Sequence, residues 1–338
     1  MARDPLQRWN DAAAENGEAD LWFLPGEDAP GLSPLPQADR ARLFPFDEWR
    51  RAEAALAPDL AALAFDFGRL EERLRAAGDG ARHRLALQEV ASLGWWTGDR
   101  VPADRLALWL AMQIGSTGAD VQALGRGAWA VRRLTSGPAP VGPQRAEALA
   151  HLLGQPDPTA PRIAEPCSVL EQVETLHPFV QGAVLFHLWR ISDPSSARDL
   201  EAAVLAARLA GSVAGPGAFV PLALAGSGAL TAQGGAERRL AAWLAGAHQG
   251  VLSALLHLDR LAAWAARAQT ATAGLSGRTP PALLRLLVAW PSLSAPVAEA
   301  ETGASRAAVQ RNLDLFARRG LIRELTGQGR YRVWSAHL

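Results

Sequence analysis

Three side chains near the C-terminus have the chemistry to read a base pair. Arg306, Gln310 and Arg311 lie within one short segment, Ser305-Arg-Ala-Ala-Val-Gln-Arg311. An Arg fork matches guanine O6 and N7, and a Gln amide matches adenine N6 and N7. If this segment is helical, all three project away from the side marked by Val309 and Leu313. With Ser305 and Ala307 they make the candidate base-reading surface. Arg318, Arg319, Gln328, Arg330 and Arg332 follow within reach of a duplex backbone, and the arginines among them suit phosphate contacts.

The elements needed to position these side chains can be read around them. Thr279-Pro280-Pro281 opens a helix with Leu283, Leu284, Leu287 and Val288 on one face, and Pro291-Ser292 ends it. Ser294 caps a second helix, Ala295 to Glu301, stopped by Gly303. Ser305 caps a third, Arg306 to Arg319, with Val309, Leu313 and Phe316 inward and Gly320 as its stop. Leu321–Leu325 and Arg330–Trp334 alternate as short strands, joined by the tight turn Thr326-Gly327-Gln328-Gly329. Three helices and a hairpin in this order read as a winged helix-turn-helix. Its third helix would present its N-terminal end to the major groove.

Charge supports the same assignment. Residues 277–338 hold nine arginines against four acids, a net +5, while the whole chain balances to zero. The remaining residues therefore carry about −5, as expected of a DNA-binding tail on a body that does not touch DNA. All 34 cations are Arg. Having no Lys excludes a P-loop Lys and Schiff-base chemistry. The single cysteine, Cys167, allows neither an internal disulfide nor a thiolate zinc cluster. No apolar stretch follows Met1-Ala-Arg-Asp-Pro5, and Pro216, Pro221 and seven glycines break the uncharged run Leu209–Ala236. Neither a signal peptide nor a membrane span is expected, and a cytoplasmic protein is.

The chain divides into an N-terminal arm (1–46), an all-α body (47–268), a flexible linker (269–278) and the winged helix-turn-helix (279–338). In the body, periodicity predicts helices over 47–75, kinked near Pro58, then 81–96, 106–114, 119–134, 143–153, 169–191, 197–209 and 237–268. The Pro-rich stretch 154–166 reads as a surface connection.

The order of parts resembles the Fic family of helical AMP-transferases, many of which carry a C-terminal winged helix. The resemblance covers roughly residues 47–338. It rests on helix 237–268 with the junction Arg278-Thr-Pro-Pro-Ala-Leu-Leu, and on Arg82-His-Arg-Leu-Ala-Leu-Gln-Glu89. The chain is also similar to a bacterial family that joins a helical region of unknown function to a helix-turn-helix. The Fic motif is His-Pro-Phe-x-Asp/Glu-Gly-Asn-Gly-Arg-x-x-Arg, with the His as general base, the acid on magnesium and the Gly-Asn-Gly turn cradling phosphates. Here His177-Pro178-Phe179 matches. Gln181 then stands for the acid, Ala183 for Asn, Val184 for Gly, and Leu185 and Leu188 for the arginines. A second register places the motif on Ile191–Arg198, with Ser192 at the position of the base. Thr97-Gly98 replaces the Glu-Gly of the inhibitory segment. The resemblance thus implies the helical fold without its catalysis.

No catalytic residue, metal ligand or cofactor is expected. His177 and His187 lie ten apart, a spacing that suits neither metal nor a shared helix face, and they read as core or cap histidines. Trp95, Trp96, Trp109, Trp129, Trp189, Trp243 and Trp264 read as core by default, with the lining of a ligand pocket as the alternative for some of them. The expected protein is a sequence-specific, DNA-binding transcriptional regulator and not an enzyme. Its partners would be double-stranded DNA, a second copy in a homodimer, and a protein or small-molecule effector. A Fic-type nucleotidyltransferase with an unrecognised site and an antitoxin-like inhibitor are the alternatives.

Overall fold

The computed structural model describes residues 45–112, 119–192, 196–327 and 332–338. The arm expected over 1–46 lies outside them but for its last two residues. Among the described residues the body is helical. Leu56 interrupts the first amphipathic stretch, giving α1 (Phe46–Ala55) and α2 (Ala57–Ala77). Pro58 sits in the first turn of α2, where a missing N–H leaves no bond unmade. Then come α3 (Asp79–Thr97), α4 (Ala103–Met112), α5 (Ala119–Thr135) and α6 (Arg145–Leu153). They are followed by α7 (Pro161–Gln172), α8 (Pro178–Ser192), α9 (Ser196–Gly211), the single turn α10 (Gly228–Thr231) and α11 (Ala236–Thr272).

Two expected boundaries are corrected here. The Pro-rich stretch 154–166 is no plain connection, since Pro161 opens α7 and Pro166 lies inside it. The expected helix 169–191 is two helices that break between Gln172 and Pro178. Proline disfavours helical backbone at the residue before it but suits the first position of a new helix.

The core centres on α8 and α9, which pack along one another. Phe179, Val180, Ala183, Val184, Leu185, Phe186, Leu188 and Trp189 are all buried, so α8 is buried on every side between 179 and 189, with Gln181 and His187 its buried polar groups. Such a helix must be surrounded. The 37-residue α11, about 55 Å long at the standard rise, packs on α1, α2, α8 and α10. Two buried charged groups fix the Gly-rich segment after α9. Arg208 donates to the carbonyl oxygens of Ala218 (3.0 Å) and Gly137. Glu89 accepts the backbone N–H groups of Leu222 (2.8 Å) and Ala223 (3.0 Å). Burial pushes the Glu89 carboxyl up to about 7, against the pull of those N–H bonds.

The C-terminal segment holds α12 (Thr279–Ala289), β1 (Leu293–Ser294), α13 (Ala295–Thr302), α14 (Arg306–Arg318), β2 (Ile322–Glu324) and β3 (Val333–Ala336). The strands form an antiparallel sheet in the order β1-β3-β2, with Ile322 opposite Ala336 and Leu293 opposite Trp334. Strand β1 was not expected from the sequence, being two residues long. The last strand lies further on than the expected 330–334. Every residue of β3 is buried, so it lacks the alternation that marks a half-buried strand.

The flexible linker expected over 269–278 is not found as such. Helix α11 runs through its first four residues to Thr272, which is buried, and Leu275 packs onto the adjoining core. Ala268 and Thr272 extend the stripe of Leu261 and Trp264 at helical spacing, and no Gly or Pro intervenes before Gly274. The C-terminal segment is consequently docked. Leu261, Trp264 and Ala268 share one core with Leu283, Leu287, Val309, Phe316 and Trp334. Buried Arg84 of α3 donates to the carbonyls of Leu287 (2.9 Å) and Trp290 (2.6 Å), taking up the end of α12. Among the described residues no helix is long and apolar enough to cross a membrane.

Candidate nucleic-acid interface

The sequence around α14 dictates which side chains face out. Val309, Leu313 and Phe316 are fully buried against α12 and the sheet. At 3.6 residues per turn, the stripe directly opposite them is Ala307, Arg311 and Arg318. All three are exposed. Ser305 caps the helix, its hydroxyl accepting the N–H of Ala308 at 3.4 Å. Arg306 projects from the first turn with 85% of its side chain exposed, 3.9 Å from the Glu299 carboxylate. An ion pair this long and this wet constrains the guanidinium little. Gln310, half-buried, donates to Asp314 at 3.0 Å across one turn.

The expected residues therefore do not form one uniform surface. Ser305, Arg306, Ala307 and Arg311 gather at the N-terminal end of α14, with Arg318 two turns along the same stripe. Arg319 leaves the stripe and donates to the carbonyl of Ala271 at the end of α11. Arg332, expected as a phosphate contact, is engaged within the segment. It bonds Glu324 at 2.7 Å and Asp314 at 3.2 Å and stacks over Trp334 at 5.0 Å. The Glu324 hydrogen bond, with the charges of Glu324 and Asp314, holds its guanidinium above the usual arginine range. Gln328 and Arg330 lie outside the described residues. By absorbing Asp314 and Glu324, Arg332 removes two of the four acids of this segment from competition with Arg306, Arg311 and Arg318.

The positions matched to the Fic motif are occupied structurally. His177 precedes α8, its Nδ1 accepting the N–H of Phe179 at 3.2 Å while its own N–H bonds Glu53 at 2.6 Å. Burial keeps the ring below the ordinary imidazole value, opposed by Glu53. The Gln181 amide donates to the carbonyls of Leu176 (2.7 Å) and Glu174 (3.2 Å). Ala183, Val184, Leu185 and Leu188 are buried in the core. Of the second register, residues 193–195 lie outside the described residues. His187 is buried, and desolvation with Arg239 and Arg190 nearby lowers it to about 3. Among the described residues no group of three or more His, Cys, Asp or Glu stands together to hold a metal ion. Cys167 is buried, which raises its thiol to about 11.

The residues that join the body to the C-terminal segment, Arg84, Asp104 and Trp264, left no local signal for their roles. Each acts on a partner more than 50 positions away. Comparison with models of known protein families and with curated proteins finds no match.

Proposed function

We propose that residues 279–338 are a winged helix-turn-helix that binds double-stranded DNA, and that the chain is a sequence-specific transcriptional regulator. One observation carries this reading: the exposed stripe of Ala307, Arg311 and Arg318, with Arg306 at its head, directly opposite the buried face of α14. Small Ala307 lets the helix approach a groove closely, while the arginines supply forked donors to bases and phosphates. The order α12-β1-α13-α14-β2-β3 is that of a winged helix, with α14 in the recognition position. In this reading the body is Fic-like and non-catalytic and serves pairing or effector sensing. His177 and Gln181 support that, because the His177 Nδ1 and the Gln181 amide nitrogen are spent on backbone groups at the start of α8.

Genome-wide occupancy of the full chain followed by fluorescence anisotropy on the enriched sequence tests the proposal. A discrete site is expected, bound with an affinity that falls steeply with salt as counterions are released. Equal affinity for enriched and scrambled duplexes in Arg306 and Arg311 variants and wild type alike would falsify the reading.

A further inference from the structure

The junction between the body and the C-terminal segment encloses a cleft of about 340 Å³. Helices α3, α4 and α11 form one wall, and the stretch after α12 with the ends of β2 and β3 forms the other. Its lining carries three arginines, Arg84, Arg260 and Arg323, against a single side-chain carboxylate, Asp104, with the rings of His257 and His337 beside them.

These charges are incompletely matched within the protein. Arg323 is paired, its guanidinium meeting Asp104 at 2.5 Å across the junction. Arg84 is buried, yet the acceptors it holds are the neutral carbonyls of Leu287 and Trp290, and its Nε has no partner among the described residues. Desolvation lowers Arg84 to about 10, partly offset by Asp104. A desolvated guanidinium without a carboxylate contact is costly, and an incoming anion relieves that cost. Desolvation, with Arg84 and Arg260 nearby, depresses His257 to about 4, so its ring is neutral near pH 7 and adds no charge to match theirs. The volume lies at the small end of the range for small-molecule sites.

We infer that this cleft binds a small anionic metabolite bearing carboxylate or phosphate groups, bridged between Arg84 and Arg260 of the body and Arg323 of the C-terminal segment. Such a ligand fixes the orientation of the C-terminal segment on the body. If that segment reads DNA, the ligand is an effector, but binding itself does not depend on that reading.

Isothermal titration of the full chain, without DNA, tests the site with citrate, pyrophosphate and inorganic phosphate against sodium chloride at matched ionic strength. Citrate distinguishes a carboxylate ligand and the two phosphates a phosphoryl one. Saturable one-to-one binding of at least one probe is expected, weakened tenfold or more by Arg260→Ala. Arg260 is exposed, so its removal does not threaten the fold. Arg285→Ala, an exposed arginine outside the cleft, should leave binding unchanged. Absence of saturable binding by all three probes, or equal binding in Arg260→Ala, overturns the inference. Either result leaves the DNA-binding proposal standing, since no DNA is present.

Discussion

Trp264, near the end of α11, donates its indole N–H to the carbonyl oxygen of Leu321 at 2.7 Å, and both residues are buried. The bond ties the body to the start of β2 and lies inside the core they share. Trp264→Phe keeps most of the packing and removes one of two bonds at that carbonyl, which still accepts the N–H of His337 at 3.0 Å, so it should cost about 0.5–1.5 kcal/mol. Trp264→Ala adds a cavity and should cost about 3–5 kcal/mol. Urea unfolding is expected to remain one transition in wild type. A separate early transition for the C-terminal segment would mean the docking contributes little.

Arg311 and Arg332 belong to one segment but sit differently, Arg311 exposed and Arg332 bonded to Glu324 and Asp314, so the proposed function gives them separate outcomes. Arg311→Ala should weaken a specific DNA site by about 1–3 kcal/mol and leave the melting temperature within error. Arg332→Ala should instead lower stability, because Glu324 and Asp314 lose their shared cation and Trp334 its stacked guanidinium. Anisotropy titrations and thermal melts on both variants are the check. The assignment fails if Arg332→Ala costs affinity but no stability.

The contrast shows where sequence reasoning stops. The helices of the C-terminal segment and the inward positions Val309, Leu313 and Phe316 were legible because 3.6-residue periodicity and the caps at Ser305 and Gly303 are local signals. Arg332 was not, since nothing near it says that Asp314, eighteen positions earlier, lies within 3.2 Å. The docking was missed for a related reason. Gln269-Thr-Ala-Thr272 resembles a linker in composition, and only the burial of Thr272 against a distant helix makes it structural. In the body, Val169, Val173, Leu176 and Val180 keep helical spacing across the break before Pro178, so the apolar pattern gave no sign of it.

Glu89 gives stability a distinctive pH dependence. Its folded pKa, about 7, lies above the ordinary value of 4.5, so the folded state holds a proton that the unfolded chain releases in between. This contribution is fully present below pH 4.5 and is lost as pH rises through 7. The loss is about 3 kcal/mol at 1.36 kcal/mol per unit. His187 and His257, with depressed folded values of about 3 and about 4, act oppositely, losing stability as pH falls below 6.5. The difference between wild type and Glu89→Gln isolates the carboxyl. Relative to wild type, the variant should gain stability from pH 4.5 to 7 and no further above it. A pH-independent difference in urea midpoints would count against an ionisable, buried Glu89.

Exposed apolar side chains on α2 and α11 suit pairing of two copies through the body. Phe65 is 70% exposed and Leu256 50%, on helices tied side by side by Asp66–His248 and Arg73–Asp259. Large exposed apolar groups on adjoining elements mark an interaction surface when they cluster. Light scattering of the full chain should give a dimer, and Phe65→Asp with Leu256→Asp a folded monomer. A wild-type monomer, or an undiminished dimer in the double variant, would place pairing elsewhere.

Gly80 lies where α3 meets the end of α12, and a Cβ there would come within 1.3 Å of the Ala289 carbonyl oxygen. Backbone cannot yield as a flexible side chain does, so Gly80→Ala must push α12 away from α3. The movement would stretch the bonds from Arg84 to Leu287 and Trp290, because both acceptors flank Ala289. Overpacking costs about 1–3 kcal/mol, and loss of those charge-assisted bonds adds to it. The face of α14 that carries Arg311 lies opposite its buried side, so the variant should destabilise docking without altering that surface. Hydrogen exchange should report faster opening of α12 and the segment after it, with α8 and α9 still protected. Unchanged exchange in α12 would show that the approach of Gly80 to Ala289 is not what seats the C-terminal segment.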